Sequence, residues 1–432
     1  MQPLIIAVAL ASGGEMGLII GSVICAAVLA QVLLLVLGQL RRIVFEEQER
    51  SLARERLELL VKTAAAQWRE AEQAQALWNG YRKFKVARKV RECGNVFSFH
   101  LQPYDGRPLP AYKPGQYLTF SLNIPGQDKP VVRCYSLSDC GRSDCYRVTI
   151  KKVAPPHDQP GGKPGLASSF FCDTVQESDI LDVKSPTGNF YLDLEKPTPV
   201  VLISGGVGIT PMLSMVNALV AAGDRREVWF IHGARNDTDH IQKEHLARLT
   251  REHPNIRLHV CYSRPTPEDC EGHDFQHRGH VTTELLKTLL PSNNYLFFIC
   301  GPPTMMQDIQ SGLKAWGVPD AAVRMEAFGP ATVKQTIVRH VPGGAAAAAL
   351  EVTFARTGKT ARWNPLFVSV LELADKAGVK IESGCRAGNC GTCLVAVKSG
   401  EVEYLVEQGA VPEKGSCLTC ICRPKTNLIL DA

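Results

Sequence analysis

The sequence lacks a marked excess of charge of either sign. Its 48 lysines and arginines nearly balance 43 aspartates and glutamates, which leaves a net charge of +5 in 432 residues. So small an excess does not indicate nucleic-acid binding, and no stretch combines a basic stripe with interleaved aromatic residues. At roughly 150 residues per domain, a chain of this length is expected to form about three domains.

The sequence also lacks the short, evenly paired cysteine pattern of a secreted disulfide scaffold. It contains 15 cysteines, an odd number, and six of them lie between Cys385 and Cys422. The others are scattered along the chain. A cluster of ligand-like cysteines together with scattered free thiols indicates a reducing compartment.

Charged residues are absent from residues 16–40, and about 20 apolar residues suffice for a transmembrane helix. A cleaved signal peptide is the alternative, but no basic region precedes the apolar run. Glu15 precedes the run and Arg41 and Arg42 follow it, so the positive-inside rule predicts a single-pass protein of the cell inner membrane with its catalytic domains on the cytoplasmic side. Residues 1–15 would then be an extracytoplasmic segment.

Residues 41–80 predict a helical spacer, because Leu57, Val61 and Trp68 belong to a set of apolar residues that recur at three- or four-residue steps. This helix either is solvated and lifts the rest of the chain from the membrane, or it binds a partner. Asn79-Gly80 ends it.

The periodicity then changes from helical to alternating. Short β-rich runs separated by Gly, Pro and Asp predict an antiparallel β-barrel over residues 81–195. Over residues 196–330, continuous apolar strands alternate with helical segments, which predicts an α/β domain whose parallel sheet is covered on both faces.

Three motifs follow predicted strands in this region. Arg133–Leu137 (RCYSL) follows a barrel strand, and Gly205–Pro211 (GGVGITP) joins a buried strand to a helix, where glycines let the backbone approach a pyrophosphate. Cys300–Pro303 (CGPP) ends a strand at the edge where α/β sheets bind ligands. The Gly-x-Gly-x-x-Gly spacing of the ordinary dinucleotide fingerprint is absent, and each motif alone is as compatible with a structural role as with a functional one.

Taken together and in this order, the motifs resemble the ferredoxin–NADP reductase superfamily, and most closely the reductase portion of flavohaemoproteins. The same pattern includes Pro114–Tyr117 (PGQY), Gly165–Ser168 (GLAS) and Glu326–Pro330 (EAFGP). The resemblance implies an FAD-binding barrel followed by an NAD(P)-binding domain.

The resemblance also implies roles for single residues. Arg133 would pair with a flavin phosphate, Tyr135 would stack on the isoalloxazine, and Ser136 would donate a hydrogen bond to flavin N5. Ser168 would bind the pyrophosphate at a helix N-terminus, which favours FAD over FMN. The implied catalytic residues, grouped at the contact between nicotinamide and flavin, are Ser136, Cys300, Glu326 and Phe328. The implied cofactor-binding residues are Arg133, Tyr135, Ser136, Leu137, Gly165, Ser168, Gly205, Gly206, Gly208, Thr210, Pro211, Ser263, Arg264, Cys300, Gly301 and Pro302.

Alternatives stay open at this site. The alternative role for Phe328 is core packing, and the alternative role for Cys300 is that of a small buried hydrophobic side chain. Ser263 and Arg264 follow a predicted strand where relatives with a 2′-phosphate site often carry Ser and Arg, and no acidic residue precedes Glu268 in that turn. This favours NADPH slightly, but mixed preferences among similar proteins leave the expectation at NAD(P)H.

Residues 331–349 contain Pro342-Gly343-Gly344 and a run of alanines, and they predict a linker. In the domain that follows, Cys385, Cys390 and Cys393 have the C-x4-C-x2-C spacing of plant-type 2Fe–2S ferredoxins. A zinc site is the alternative, although zinc ribbons prefer paired C-x2-C spacings.

Residues 350–432 resemble ferredoxins throughout, which implies an α+β β-grasp domain. The spacing alone leaves Cys417, Cys420 and Cys422 as candidates for the fourth ligand. Ferredoxins place that ligand four residues before a proline, and Pro424 then selects Cys420. The implied metal ligands are Cys385, Cys390, Cys393 and Cys420.

The sequence therefore predicts a multidomain, membrane-anchored reductase. NAD(P)H would give hydride to FAD, and a 2Fe–2S cluster would pass single electrons to an acceptor such as an oxygenase, another redox protein or a quinone. One alternative is the flavin and iron–sulfur subunit of a membrane NADH:quinone reductase, although there the ferredoxin precedes the flavin domain. The non-enzymatic alternative is an iron–sulfur redox sensor, for which the sequence offers no signalling domain.

Overall fold

The computed structural model describes residues 2–139, 144–155, 161–328, 350–364, 367–404 and 412–432. The chain divides into two compact units, the first ending at Gln75 and the second running from Ala76 to Ala432. The predicted linker over residues 331–349 lies outside the described residues.

The first unit is one long helix, α1 (Gln2–Ala76). The predicted N-terminal segment, apolar helix and spacer are therefore continuous in secondary structure. Its described segment Gly21–Val61 contains a window with a mean hydropathy of 2.5, none of it buried, and is long and apolar enough to cross a membrane. A signal sequence near the N-terminus would pass the same test of length and composition. The helix alone therefore does not show that the chain spans a membrane.

The flavin-domain region consists of six antiparallel strands in the order β4-β3-β6-β1-β2-β5. An antiparallel bridge between Leu137 and Val148 joins the two edge strands, so the sheet curls into a barrel around a core rich in phenylalanine. Its strands are β1 (Arg82–Cys93), β2 (Val96–Pro103), β3 (Tyr117–Leu122), β4 (Val131–Ser136), β5 (Tyr146–Lys151) and β6 (Ile180–Thr187). A short helix, α2 (Leu166–Ser169), continues as a π-helical turn over Phe170–Thr174.

The second domain contains the parallel sheet that the sequence predicts, with six strands in the order β10-β9-β8-β7-β11-β12. Its strands are β7 (Val200–Gly205), β8 (Val228–Ala234), β9 (Ile256–Tyr262), β10 (His277–Arg278), β11 (Leu296–Cys300) and β12 (Val323–Glu326). Its helices are α3 (Ile209–Ala221), α4 (Lys243–Glu252), α5 (Thr283–Leu289) and α6 (Pro303–Ala315).

Residues of β7 show why this sheet is covered on both faces. Val200 and Leu202 belong to the core formed with α3 and α4, whereas Val201 and Ile203 belong to the core formed with α5 and α6. Successive side chains of a strand point to opposite faces, so a continuous apolar run marks a strand buried on both. The strand order reverses at β7, which lies between β8 and β11, and ligands of such sheets bind at this point.

The C-terminal domain has an α+β arrangement. A mixed sheet with the order β14-β13-β19-β15-β17 packs against α7 (Val370–Lys376), and β16 pairs with β18. Its strands are β13 (Glu351–Phe354), β14 (Lys359–Arg362), β15 (Leu394–Ser399), β16 (Val402–Tyr404), β17 (Ser416–Leu418), β18 (Cys422–Pro424) and β19 (Leu428–Leu430).

Candidate functional site

The loop between β7 and α3 forms the nucleotide end of the site. Gly206–Gly208 makes a 3-10 turn and α3 begins directly after it. Gly206 has a φ of +54°, and a side chain there would meet no atom within 4 Å. A Cβ on Gly208 would lie 2.2 Å from the Cys300 carbonyl oxygen. The loop thus leaves its backbone open at a helix N-terminus, which suits the pyrophosphate of NAD(P)H.

The ends of β7 and β11 approach each other so closely that only glycine fits. A Cβ on Gly205 would lie 2.7 Å from Pro302 Cδ, and one on Gly301 would lie 3.0 Å from the Gly205 nitrogen. Thr210 and Pro211 are buried in the first turn of α3. These predicted cofactor-binding residues therefore form one continuous surface at the switch point of the sheet.

Cys300 ends β11, in register with Ser204 of β7 and Glu326 of β12. Burial first, and the Glu326 carboxylate second, raise the pKa of the Cys300 thiol well above its ordinary value. The thiol stays protonated, so its chemistry is that of a small buried group rather than of a nucleophile.

The flavin strand β4 turns its residues alternately to two sides. Ser136 is 4% exposed, and its hydroxyl donates to the Glu326 carboxylate at 3.4 Å, which joins the barrel to the parallel sheet. Tyr135 points into the barrel core and packs edge-on against Phe120 and Phe171, with ring centroids 5.8 Å and 5.2 Å away.

The guanidinium of Arg133 donates to two backbone oxygens, that of Val132 at 2.7 Å and that of Gly384 in the C-terminal domain at 3.3 Å. Carbonyl oxygens do not neutralise a guanidinium group, so these bonds leave Arg133 the charge that a phosphate would pair with.

Gly165 and Ser168 lie apart from these residues. The helix begins at Leu166, two residues earlier than the position predicted for Ser168, with Gly165 as its N-cap. The Ser168 hydroxyl donates to Gly165 O at 3.0 Å and accepts from the Val153 amide at 3.1 Å. The side chain that the resemblance assigns to the FAD pyrophosphate thus makes local hydrogen bonds in this structure.

Ser263 and Arg264 follow β9, which is separated from β7 by β8 in the parallel sheet. The Ser263 amide donates to Ala234 O at 3.0 Å and the Arg264 amide to Arg235 O at 2.8 Å. Arg264 therefore lies beside Arg235, whose side chain pairs with Asp239. The backbone of the predicted Ser263-Arg264 turn is thus bonded to the end of β8, and the choice between NADH and NADPH stays a prediction.

The four predicted iron ligands lie in one buried cluster, formed by Cys385, Cys390, Cys393 and Cys420 with Leu371, Leu418 and Ile421. The Cys385 amide donates to Cys390 Sγ at 3.3 Å, and Cys393 Sγ lies 3.1 Å from Cys420 Sγ. The thiols are thus arranged as two pairs, and no three His, Cys, Asp or Glu side chains of the described ranges surround a single point that could hold one ion. Two pairs of thiolates, one pair for each iron, fit a 2Fe–2S cluster.

The loop around Cys385 also supplies the hydrogen bonds that such a cluster needs. The amides of Ala387, Asn389 and Cys390 donate to Cys385 Sγ at 3.4 Å, 3.3 Å and 3.2 Å. Positive φ values at Arg386 (52°), Gly388 (74°) and Gly391 (71°) let the loop turn these amides inward. Amide donors around thiolate ligands stabilise an anionic cluster.

Cys417 and Cys422 lie elsewhere. Both belong to a second core, which packs between the mixed sheet and α7. The neighbouring Cys417 thiol first, and burial second, raise the pKa of Cys422 well above its ordinary value. The structure therefore separates the two extra thiols from the four predicted ligands.

The flavin strand and the cluster loop face each other across one pocket. It is lined by Tyr117, Arg133, Cys134, Ser136, Glu326, Ala327, Phe328, Cys385, Ala387 and Asn389. Phe328 both lines this pocket and packs on the core of the parallel-sheet domain, so its packing is compatible with the predicted role at the flavin. The predicted catalytic residues Ser136, Glu326 and Phe328 line this pocket together, whereas the fourth, Cys300, does not. The lining residues also do not include Tyr135, Ser168 and Ser263.

Two residues that line this pocket, Tyr117 and Cys134, were not predicted to be site residues from the sequence. The Tyr117 hydroxyl donates to the Asn389 carbonyl at 2.6 Å, and burial raises the pKa of the phenol, which keeps it protonated. The Cys134 thiol lies beside Cys385 and raises the pKa of the Cys385 thiol to about 12. Tyr117 ends the PGQY motif and Cys134 lies within RCYSL. The motifs therefore indicated this part of the chain, but not that these two side chains contact the cluster loop.

Three family models match the chain, in the order of the predicted domains. The oxidoreductase FAD-binding domain matches residues 83–191, the oxidoreductase NAD-binding domain residues 202–311, and the 2Fe-2S iron-sulfur cluster binding domain residues 356–425. These matches confirm the predicted cofactors FAD, NAD(P)H and a 2Fe–2S cluster.

Curated relatives over the flavin and nucleotide domains are flavohaemoproteins. One from Halalkalibacterium halodurans is 40% identical over 274 residues, which are 63% of this chain and 66% of the relative. One from Bacillus cereus is 38% identical over 275 residues, which are 64% of this chain and 67% of the relative. The chain thus spans about two thirds of the length of these relatives.

Solved structures agree with the family models. The flavohaem-like FAD/NAD-binding domain of nitric oxide dioxygenase from Vibrio cholerae is 30% identical, with a TM-score of 0.51, and covers 58% of this chain and 100% of its own. A type IV self-sufficient cytochrome P450 monooxygenase is 21% identical, with a TM-score of 0.56, and covers 82% of this chain and 41% of its own. The second likeness concerns the fold alone.

Proposed function

Because the chain belongs to the ferredoxin–NADP reductase family and carries a C-terminal 2Fe–2S domain, we propose that it delivers single electrons from its cluster to a separate acceptor while α1 anchors it to a membrane. The protein is an NAD(P)H-dependent flavin and iron–sulfur oxidoreductase in which electrons pass from NAD(P)H through FAD to the cluster. Bound FAD supplies the conversion of a two-electron donor into the single electrons that a cluster accepts.

The observation that carries this proposal is the shared pocket between the flavin strand and the cluster loop. Ser136 and Glu326 come from different domains and meet at 3.4 Å, and Cys385 and Asn389 line the same pocket from the ferredoxin side. Electron transfer between two centres is fast only when they are close. A pocket that joins the flavin strand to the cluster loop provides such a short route within one chain.

Ser136 and Glu326 would orient the reacting groups. Ser136 would donate a hydrogen bond to the flavin atom that receives hydride, and Glu326 accepts a hydrogen bond from the same hydroxyl before the flavin binds. Phe328 and Ala327 would exclude water from the contact between nicotinamide and flavin.

We propose an oxygenase or another one-electron redox protein as the acceptor, since reductases of this family supply oxygenases. The apolar segment of α1 supports a membrane location, as does the Arg41-Arg42 pair that follows its most apolar part. The full chain should sediment with membranes, resist extraction by alkaline carbonate and dissolve in detergent. Recovery in the soluble fraction would contradict the anchor.

The proposed direction of electron flow is tested by a variant that cannot hold the cluster. Cys390→Ser should still reduce ferricyanide, which accepts electrons from flavin, at a near-normal rate, and should fail to reduce cytochrome c. Cys422→Ser serves as the matched control, because Cys422 lies in the other core of the same domain and should keep both activities. Equal cytochrome c reduction by Cys390→Ser and the unmodified chain would contradict the proposal.

A further inference from the structure

Tyr117 connects the flavin barrel to the cluster loop by a buried hydrogen bond. Its ring is 2% exposed, at the start of β3 and directly opposite Ser136 of β4. The phenol donates at 2.6 Å to the backbone oxygen of Asn389, which lies in the loop between Cys385 and Cys390.

The acceptor oxygen belongs to the peptide unit that joins Asn389 to Cys390. The N–H of that same unit donates to Cys385 Sγ at 3.2 Å. The peptide is resonance-stabilised and planar, so a hydrogen bond accepted by its oxygen polarises its N–H. The phenol, the peptide and the Cys385 sulfur thus form a linear hydrogen-bonded relay from the flavin domain to a predicted iron ligand.

We propose that Tyr117 raises the reduction potential of the cluster by acting through the Asn389–Cys390 peptide. Hydrogen bonds to cluster sulfurs stabilise the more negative, reduced state, and they are one of the levers by which proteins set cluster potentials. The surroundings strengthen the effect, because Cys385 is 5% exposed and electrostatic interactions are stronger in a low local dielectric. Tyr117 is therefore a positioning and tuning residue rather than a catalytic one.

The relay also makes the cluster sensitive to docking of the ferredoxin domain. If the domain moves away from the barrel, the Tyr117 bond breaks and the cluster becomes a poorer electron acceptor. The cluster would then accept an electron from flavin most readily when the two domains are in contact. The role of this effect in electron transfer rests on the proposed function. The reduction potential of the cluster can nevertheless be measured without turnover.

The test is a redox titration of the cluster in the full-length, detergent-solubilised protein, reduced with dithionite and followed by EPR. Tyr117→Phe keeps the ring and removes only the donor. It should lower the midpoint potential, corresponding to a several-fold and up to about tenfold weaker tendency to accept the electron, where tenfold is about 59 mV for a one-electron couple.

Tyr146→Phe is the matched control. Tyr146 is equally buried, at 1% exposure, and its hydroxyl also donates to a backbone oxygen, that of Pro110 at 2.5 Å, but within the barrel. Its removal should leave the cluster potential unchanged. An unchanged potential in Tyr117→Phe, or an equal fall in both variants, would overturn the proposal.

A second probe covers the case in which Tyr117→Phe fails to load its cofactors. Tyr117→3-fluorotyrosine retains the hydroxyl and makes the phenol a stronger donor, so it should raise the potential. A fall or no change there would overturn the proposal. If NAD(P)H fails to reduce the cluster of the unmodified chain, the proposed function is wrong, but the dithionite titration still tests the role of Tyr117.

Discussion

At the scale of single residues, the C-terminal cysteines divide into two groups with different surroundings. Cys420 belongs to the core of the cluster loop, with Cys393 Sγ 3.1 Å from its own sulfur. Cys422, two residues later, lies in the core between the sheet and α7, together with Cys417. Cys420 lies in the turn between β17 (Ser416–Leu418) and β18 (Cys422–Pro424), whereas Cys417 and Cys422 lie within these two strands.

We predict that Cys420→Ser abolishes the visible absorbance and the EPR signal of the 2Fe–2S cluster, because one iron loses one of its two cysteine thiolates. Cys422→Ser should retain both signals. Iron analysis of the purified variants provides a readout that is independent of activity. Loss of the signals in Cys422→Ser and their retention in Cys420→Ser would refute the assignment of the fourth ligand.

Ser136 gives a second prediction at this scale. Ser136→Ala should retain FAD and lose about 10²-fold in the rate of flavin reduction, because a donor to a centre that gains charge contributes mainly in the transition state. Ser138→Ala is the matched control, since its buried hydroxyl bonds to Thr149 Oγ1 at 2.8 Å and does not line the pocket. The rates are measured by stopped-flow absorbance, and equal rates for both variants would show that Ser136 does not act at the flavin.

Much of the site could be predicted at the residue scale, but not all of it. Cys385, Cys390 and Cys393 could be singled out because their spacing within one loop reflects local geometry. Tyr117 could not, because its acceptor in the loop is the oxygen of Asn389, 272 residues away in the chain. A contact between domains leaves no periodicity or spacing in a single sequence.

At the scale of secondary-structure elements, the site depends on how closely the turn after β7 approaches the end of β11. Gly208 has an ordinary helical φ of −61°, so its backbone conformation does not require glycine. Space does, because a Cβ would lie 2.2 Å from the Cys300 carbonyl oxygen and 2.5 Å from its carbon. A side chain there must push the nucleotide-binding turn away from β11.

We therefore predict that Gly208→Ala lowers the free energy of unfolding by about 1–3 kcal/mol, as expected for overpacking, and raises KM for NAD(P)H. Gly161→Ala is the matched control, because a Cβ there would meet no atom within 4 Å. Thermal denaturation and steady-state ferricyanide reduction measure the two effects. If Gly208→Ala behaved like the control in both assays, the close approach would be wrong.

Among the secondary-structure elements, β7 was predicted well from the sequence pattern. The continuous apolar run of β7 predicted a buried parallel strand, since both of its faces pack against helices. The boundary of α2 was less predictable, because the turn from Leu166 to Thr174 changes from α-helical to π-helical spacing. Sequence periodicity does not predict such a change of hydrogen-bond register, and the π-helical residue Phe171 is buried in the barrel core.

At the scale of the whole molecule, three domains that follow one another along the chain meet at one pocket. Ser136 of the barrel meets Glu326 of the parallel sheet, and the ferredoxin loop closes the same pocket from the other side. The sequence predicted which cofactors are present, but it did not predict that all three domains meet at one pocket. The sequence between residues 328 and 350 does not indicate where the ferredoxin domain lies. The shared pocket brings the flavin strand and the cluster loop together, and the proposed direction of electron flow follows because only flavin accepts hydride.

The most direct test of this account is anaerobic stopped-flow mixing of the full-length protein with NAD(P)H, with absorbance recorded separately for flavin and cluster. The account predicts that flavin bleaches first and that the cluster bleaches in a second phase, because only flavin accepts hydride. Cluster bleaching that precedes flavin bleaching, or flavin reduction that never reaches the cluster, would contradict it.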